Sequence, residues 1–305
     1  MHVHAHAPRQ VRYLRWSLAI TTLFVAAEAV AGLQSGSLAL LSDAGHNFTD
    51  ALALLLAALA IYFQGKPANE VKTYGYHRAG VLAAFVNALT MLLLSALIFY
   101  ESWHRIQKPE PVNEATMLVV ATLGLGVNAL IMWWLRQDQK HDLNIRAAFL
   151  HMLGDALGSV GIIVGAIVMR STGWLWVDAV LSILIAGLIV WSAWSVVRES
   201  LNILLEGLPH GMKLDAVVGA IRGVEGVMDV HDLHVWSLGS STHALSCHVQ
   251  IQDLPPSASE TILNRINDVV CVRFHIHHTT IQFEHAGCAV STHGCVIPAG
   301  AHSHH

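Results

Sequence analysis

The chain has 305 residues, of which 54% are hydrophobic and only 12% are charged, whereas about 25% of the residues in soluble proteins are charged. Its mean hydropathy is +0.50 and its formal net charge is −4. These values exclude an ordinary soluble protein, and the absence of a basic block excludes a nucleic-acid partner. Most of the chain is therefore expected in a lipid bilayer, with room for one soluble domain of about 100 residues.

Residues 1–13 are polar and basic, and they contain His2, His4 and His6. We predict that they form a cytosolic N-terminal segment rather than a cleaved signal peptide, because further apolar segments follow instead of a cleavage site.

Residues 14–198 contain six apolar segments, each near the length of about 20 residues that crosses a bilayer. They are Leu14–Leu33, Leu38–Phe63, Ala79–Tyr100, Met117–Leu135, Ala147–Met169 and Trp174–Val197. The basic residues concentrate at both ends of this region and in the even-numbered connections, which places both termini in the cytoplasm. We expect a six-transmembrane-helix bundle, in a bacterial inner (plasma) membrane or, as the alternative, in the membrane of an organelle.

Two of these segments carry the same polar pattern. His46 and Asp50 in the second, and His151 and Asp155 in the fifth, are each four residues apart, so each pair lies on one face of its helix. Together the two pairs supply four nitrogen or oxygen ligands, which is the number that a tetrahedral Zn²⁺ site requires. A single pair would be read as a helix-packing contact, but two pairs at matched depth favour a metal site.

Other polar groups in the membrane segments are not interpreted as metal ligands. Glu28 is interpreted as a structural group, and Asp178, close to the end of its segment, is given no role. The fifth segment contains two GxxxG units, Gly154–Gly158 and Gly161–Gly165, which predict close approach of a neighbouring helix. The sequence lacks an HExxH motif, so an intramembrane zinc enzyme is disfavoured and no catalytic residue is predicted.

Residues 199–285 are predicted to form a cytosolic αββαβ domain, because turn signals and strand-like runs replace the apolar segments. The predicted elements are a helix at Leu214–Ile221, strands at Met228–Leu238 and Thr242–Ile251, a helix at Ser257–Asn267 and a strand at Phe274–Glu284. Residues 286–305 are predicted to be a flexible tail. The tail holds Cys288 and Cys295, thiols with affinity for zinc.

Several motifs resemble those of the cation diffusion facilitator family, and in particular its zinc-transporter branch. They are SGSLALLSDAGHNFTD, TYGYHRAGVLAAFVN, HMLGDALGSVG, LNILLEGLP, VHDLHVWSL and FHIHHTTIQFE. The resemblance implies a homodimeric, proton-coupled antiporter with a ferredoxin-like or metallochaperone-like cytosolic domain. It also implies that the transport site consists of His46, Asp50, His151 and Asp155, with His46 favouring zinc. The chain departs from the family pattern at Gly80, where a glutamate is common.

The same resemblance implies cytosolic metal ligands at His231, His248, His277 and Glu284, and therefore zinc as a structural or regulatory ion as well as the substrate. His248 and His277 fall in different predicted strands that could converge. Arg78 and Glu206 belong to two of the matched motifs, and we predict that they form an ion pair.

The leading functional hypothesis is export of Zn²⁺ from the cytoplasm in exchange for protons. A broader exporter of cadmium, cobalt and nickel and a membrane zinc sensor remain as alternatives. A sensor would bind zinc without moving it across the membrane. The chain has no GxxxxGK[ST] motif, so nothing in it indicates the use of ATP.

Overall fold

The computed structural model describes residues 22–136, 143–239 and 242–285. Its membrane helices are α1 (Thr22–Ser35), α2 (Leu38–Gln64), α3 (Ala79–Gln107), α4 (Glu114–Leu135), α5 (Leu143–Thr172) and α6 (Trp176–Leu204). Helices α2 to α6 are long and apolar enough to cross a membrane. Helix α1 is the described part of the first predicted segment, whose beginning lies outside the described residues.

The chain divides into two compact units, with boundaries after Ala57, Phe85 and Val197. The first unit contains most of the membrane helices. The second contains the stretch 58–85 together with the described residues that follow Val197. The stretch 58–85, which includes the end of α2 and the start of α3, therefore groups with the C-terminal part of the chain and not with the rest of the predicted region 14–198.

Small residues set the helix packing in the first unit. A Cβ atom added at Gly165 of α5 would clash with the side chain of Leu181 of α6, and one at Gly158 would lie 3.8 Å from Asp43 of α2. Added Cβ atoms at Gly154 and Gly161 meet nothing within 4 Å. Gly158 and Gly165 of the predicted GxxxG units therefore face different helices, α2 and α6, and the tightest contact of the four glycines is made with α6.

The apolar residues of the first unit separate into a packed core and an outer surface. The core joins α2, α4 and α5 through Ala39, Leu40, Met117, Ala121, Ile162, Ala166 and Met169, with Val112 beside them. Large apolar side chains on the other helix faces are exposed, among them Leu93, Leu97, Leu184, Leu188 and Trp191. Such a surface is stable only in contact with lipid, as expected for a multi-pass membrane protein.

The C-terminal domain contains α7 (Leu214–Arg222), β1 (Val227–Ser237), β2 (His243–Ile251), α8 (Pro256–Phe274) and β3 (Ile276–Glu284). The strands are ordered β1-β2-β3, with β1 and β2 antiparallel and β2 and β3 parallel. The parallel pair needs a long crossover, which α8 provides. The predicted α-helical membrane fold with a C-terminal αββαβ domain is confirmed.

Helix α8 is longer than predicted, because it ends at Phe274 instead of Asn267. The β-branched run DVVCVRF resembles a strand, but Ile262, Ile266 and Val270 are buried at a spacing of four residues and pack into the domain core. This spacing is that of a helix face. His275 then adopts the left-handed conformation, with φ 55° and ψ 34°, and ends the helix, so β3 begins at Ile276.

Candidate metal centres

Four predicted ligands converge in the first unit, and we call them the membrane cluster: His46 and Asp50 on α2, and His151 and Asp155 on α5. The Nε2 atom of His46 lies 3.7 Å from Asp50 Oδ2 and 3.9 Å from Asp155 Oδ1. The Nε2 atom of His151 lies 3.3 Å from Asp50 Oδ2 and 3.6 Å from Asp155 Oδ2. Each imidazole therefore faces both carboxylates.

These separations suit a tetrahedral zinc ion. With Zn–N and Zn–O bonds of about 2.0–2.1 Å, neighbouring ligand atoms in a tetrahedron lie about 3.3–3.4 Å apart. Ligand atoms of His46, His151 and Asp155 all lie within 4.8 Å of one another. Asp50 is not within 4.8 Å of the ligand atoms of all three residues, yet its Oδ2 atom is close to both imidazoles. Small side-chain movements would bring all four atoms to bonding distance.

Burial makes the membrane cluster a costly arrangement without a cation. The Oδ2 atoms of Asp50 and Asp155 and the Nδ1 atom of His46 are buried and have no hydrogen-bond partner among the described residues. Unpaired carboxylate oxygens in an apolar region are strongly destabilising. The side chain of Asp155 is 5% exposed and that of His151 is 42% exposed, so the cluster is closed at Asp155 and open at His151.

Asp178 has a structural role that the sequence analysis did not assign. Its carboxylate accepts hydrogen bonds from Ser37 Oγ at 2.6 Å, from the Leu38 amide at 2.7 Å and from the Ala39 amide at 3.3 Å. It is 1% exposed, so the expectation that Asp178 has no role is wrong. Asp178 of α6 therefore caps the first turn of α2, the helix that carries His46. No local pattern in the sequence indicates this contact, because Ser37 and Asp178 are 141 residues apart.

A second group of ligand types lies on the sheet of the C-terminal domain, and we call it the C-terminal cluster: His231, His248 and Glu284. Glu284 Oε2 lies 3.1 Å from His231 Nε2, and Glu284 Oε1 lies 3.0 Å from His248 Nδ1. His231 and His248 are paired across β1 and β2, and Glu284 ends the neighbouring strand β3. Ligand atoms of the three residues lie within 4.8 Å of one another.

The C-terminal cluster fits a zinc ion in the chemistry of its donors. Two imidazoles and one carboxylate are a common zinc donor set, with a fourth position left for another ligand. Although Glu284 lies close to His231, the buried Nε2 atom of His231 has no hydrogen bond of acceptable geometry within the described part of the chain. An ion at this point would satisfy that nitrogen.

The structure does not bring His277 to the C-terminal cluster, contrary to the expectation that the four predicted ligands share one site. In the parallel pairing, His248 lies opposite Gln282, so His277 is five residues away along β3, about 16 Å at the rise of a strand. Its Nδ1 atom instead lies 3.4 Å from Cys271 Sγ. Cys288 and Cys295, like His2, His4 and His6, lie outside the described residues.

Burial changes the chemistry of two groups in the C-terminal domain. It raises the pKa of the Cys247 thiol to about 12, which makes this cysteine a poor metal ligand. Burial, helped by the nearby His275 and His277, lowers the pKa of His243. His243 is therefore neutral over a wider pH range than an exposed histidine.

Comparison with known proteins adds independent findings. Residues 14–205 match the family model described as the cation efflux transmembrane domain. Residues 209–286 match the model of the cation efflux protein, cytoplasmic domain.

The chain is also similar to curated proteins over most of its length. It is 40% identical over 287 residues to the metal cation efflux system protein CzcD of Cupriavidus metallidurans, covering 94% of this chain and 90% of the relative. It is 40% identical over 289 residues to the zinc transporter ZitB of Pectobacterium atrosepticum, covering 94% of this chain and 89% of the relative. It is 41% identical over 271 residues to the cadmium, cobalt and zinc/H⁺-K⁺ antiporter of Bacillus subtilis, covering 88% of this chain and 87% of the relative.

A solved structure of the metal-bound C-terminal domain of the CzcD transporter from Cupriavidus metallidurans is 34% identical. The match covers 24% of this chain and 99% of the chain of that structure, with a TM-score of 0.22. The family models and the curated relatives are those of transporters and not of enzymes. The chain belongs to the cation diffusion facilitator family of cation efflux proteins, in its zinc-transporter branch.

Proposed function

We propose that the protein exports Zn²⁺ from the cytoplasm in exchange for protons, and that the membrane cluster is its transport site. The observation that carries this proposal is the convergence of His46 and Asp50 with His151 and Asp155 at separations of 3.3–3.9 Å. The ligand atoms come from two separate helices, α2 and α5. A relative movement of these helices would therefore assemble or open the site.

Proton coupling follows from the chemistry of the ligands. Zinc binds neutral imidazole and ionised carboxylate, so zinc and protons compete for the same groups. A site that opens alternately to the two sides of the membrane then takes up zinc on the less acidic side and releases it on the more acidic side. The Bacillus subtilis relative is named as an antiporter of metals against H⁺ and K⁺, which supports coupling to a cation gradient.

A broader range of metals is the second candidate. The name of the same relative includes cadmium and cobalt beside zinc. Imidazole and carboxylate ligands also bind these ions. The presence of two imidazoles in the membrane cluster favours zinc as the preferred substrate.

We further propose that the C-terminal cluster holds a structural or regulatory zinc ion and that the protein works as a homodimer. His231, His248 and Glu284 would bind the ion and fix the relative positions of the three strands that carry them. Both termini would lie in the cytoplasm, and the membrane would be the inner membrane of a bacterium, as the bacterial origin of the relatives suggests.

Transport by purified protein in sealed proteoliposomes tests the main proposal. A zinc-sensitive dye and a pH-sensitive dye inside the vesicles would report both fluxes. We expect zinc to accumulate only when the inside is more acidic, with protons leaving as zinc enters. Zinc binding without zinc flux would identify a sensor. A zinc flux that is the same with and without a pH gradient would exclude proton exchange.

A further inference from the structure

A second pair of carboxyl groups lies beside the membrane cluster, and we call Glu28 of α1 and Asp43 of α2 the acid pair. Glu28 is 1% exposed and Asp43 is 6% exposed. The carboxyl group of Glu28 is within hydrogen-bonding reach of Asp43 and of Asn47, which lies one turn further along α2. One of its oxygens, Oε2, is buried and has no hydrogen-bond partner within the described ranges.

The surroundings of the acid pair do not neutralise two negative charges. Within the described residues, neither Glu28 nor Asp43 forms an ion pair with a lysine or arginine. The charged or titratable groups that face them are Asp155, which acts on both, and His46, which acts on Asp43. Two adjoining carboxyl groups at membrane depth are stable only when they share a proton, because two buried like charges cannot both be ionised.

The acid pair is close enough to the membrane cluster to sense its charge. Asp43 lies three residues before His46 and seven before Asp50, so it belongs to the same face of α2. It also approaches α5, since its Oδ1 atom is 3.8 Å from the Cβ position of Gly158, three residues after Asp155. Glu28 interacts electrostatically with Asp155, a residue of the cluster, so a divalent cation bound by the cluster would also act on Glu28 in this region of low dielectric constant.

We propose that Glu28 carries one of the protons that are exchanged for zinc. The inference rests on the proposed proton-coupled transport and adds a group outside the metal ligands. When zinc binds, its charge favours ionisation of the acid pair, the O–H bond of Glu28 breaks and the proton leaves. When zinc departs, Glu28 takes up a proton again. Each cycle is balanced, because one proton is released and one is bound.

The full-length protein in detergent provides the test. Calorimetric titration with zinc to saturation, in buffers of different ionisation enthalpy, gives the number of protons released per protein chain. Glu28→Gln keeps the shape of the side chain but cannot ionise, so the number should fall by about one while zinc still binds. Ser95→Ala is the matched control, since Ser95 is fully buried and its hydroxyl group also has no partner within the described part of the chain, and it should release as many protons as the wild type.

The outcomes separate this inference from the proposed function. The C-terminal cluster is the same in all variants, so its protons cancel in the comparison. A wild-type proton count in Glu28→Gln overturns the role of Glu28 and leaves proton exchange intact. Loss of zinc binding in Glu28→Gln also overturns it, because a charge at this position would then hold the metal. A wild type that binds zinc without releasing protons overturns both proposals.

A second variant covers the case in which Glu28→Gln cannot be purified. Glu28→Ala also removes the ionisable carboxyl group, here with a smaller side chain, so the proton count should again fall by about one. If Glu28→Ala releases as many protons as the wild type, Glu28 does not take part in the exchange.

Discussion

Arg78 donates a hydrogen bond from Nη2 to Oε1 of Glu206 at 3.0 Å, across 128 residues of sequence. Arg78 lies one residue before α3, and Glu206 lies two residues after the end of α6 with a φ of 61°. The ion pair predicted from the two motifs is therefore confirmed. Because the side chains are 36% and 63% exposed, the pair contributes no more than about 0.2–1 kcal/mol to stability.

Reversing either charge of this pair should lower the thermal stability of the purified protein at low salt. Arg78→Glu and Glu206→Arg each place like charges together, and combining the two substitutions should restore the attraction. Melting temperatures at low and at about 1 M salt test this, since high salt screens exposed charges. We expect the four proteins to converge at high salt. A double variant no more stable than the single variants would show that the two side chains do not interact.

Replacing Asp155 should abolish zinc transport without preventing membrane insertion. Asp155→Ala removes the most buried ligand of the membrane cluster, and Asp155→Asn removes its charge at nearly constant volume. Both should elute from a gel-filtration column as the wild type does, while zinc flux falls to the background of empty vesicles. Glu114→Gln, in the first turn of α4, is the control and should transport normally. Substantial flux in Asp155→Ala would place the transport site elsewhere.

His46 should set the choice of metal. His46→Asp keeps a ligand at the same helical position but replaces a nitrogen with a charged oxygen on a shorter side chain, which leaves room for a larger ion. The variant should still carry zinc and should gain transport of Cd²⁺, whereas His46→Ala should lose most transport of both ions. Paired uptake of the two metals at one fixed pH gradient gives the ratio. An unchanged ratio in His46→Asp would remove His46 from metal selection.

The C-terminal cluster should bind zinc without His277. We expect full-length Asp155→Asn, which lacks a complete membrane cluster, to retain this zinc and to melt at a higher temperature with zinc than without it. At zinc concentrations 100 times the dissociation constant, binding adds about 2.7 kcal/mol to stability. Adding His248→Ala should remove the effect, and adding His277→Ala should preserve it. Equal losses from both substitutions would contradict the separation of His277 from the cluster.

The two described cysteines should react differently with a thiol reagent. Since burial raises the pKa of Cys247 to about 12, its reactive thiolate is absent near neutral pH and should form only in strongly alkaline solution. Cys271 is half-buried and lies beside His277. With Cys288 and Cys295 replaced by serine, maleimide at neutral pH should label one site in the folded protein and two after denaturation. Cys271→Ser should remove the folded-state label, and labelling of Cys247 in the folded protein would contradict its burial.

The membrane cluster could be predicted because its geometry is local. His46 and Asp50 share a helix face, as do His151 and Asp155, so each half of the site follows from a spacing of four residues. The membrane helices could be predicted in the same way, from the length of each apolar segment. The sequence also favoured contact between the two pairs, because unpaired ionisable groups are rare in membrane helices.

Other features depend on contacts that sequence spacing does not determine. The separation of His277 from His248 follows from the register of β2 against β3, which a difference of a few residues would change. The role of Asp178 depends on α6 reaching the start of α2, and its burial could not be inferred from its position near a segment end. The extra length of α8 was hidden because Val269, Val270 and Val272 favour strands as isolated residues and pack as a helix only against the sheet.

The membrane cluster consists of two pairs, one on α2 and one on α5. Within one helix, the spacing of four residues keeps both side chains on one face, with separations of 3.7 Å for His46–Asp50 and 3.6 Å for His151–Asp155. The separations between helices, 3.9 Å and 3.3 Å, depend on how the two helices lie against each other. A shift of α5 by about 2 Å would therefore replace one four-ligand site with two bidentate ones, each of much lower affinity. Under the proposed function, a displacement of α5 along α2 would therefore be enough to release the ion, and neither helix would have to unfold.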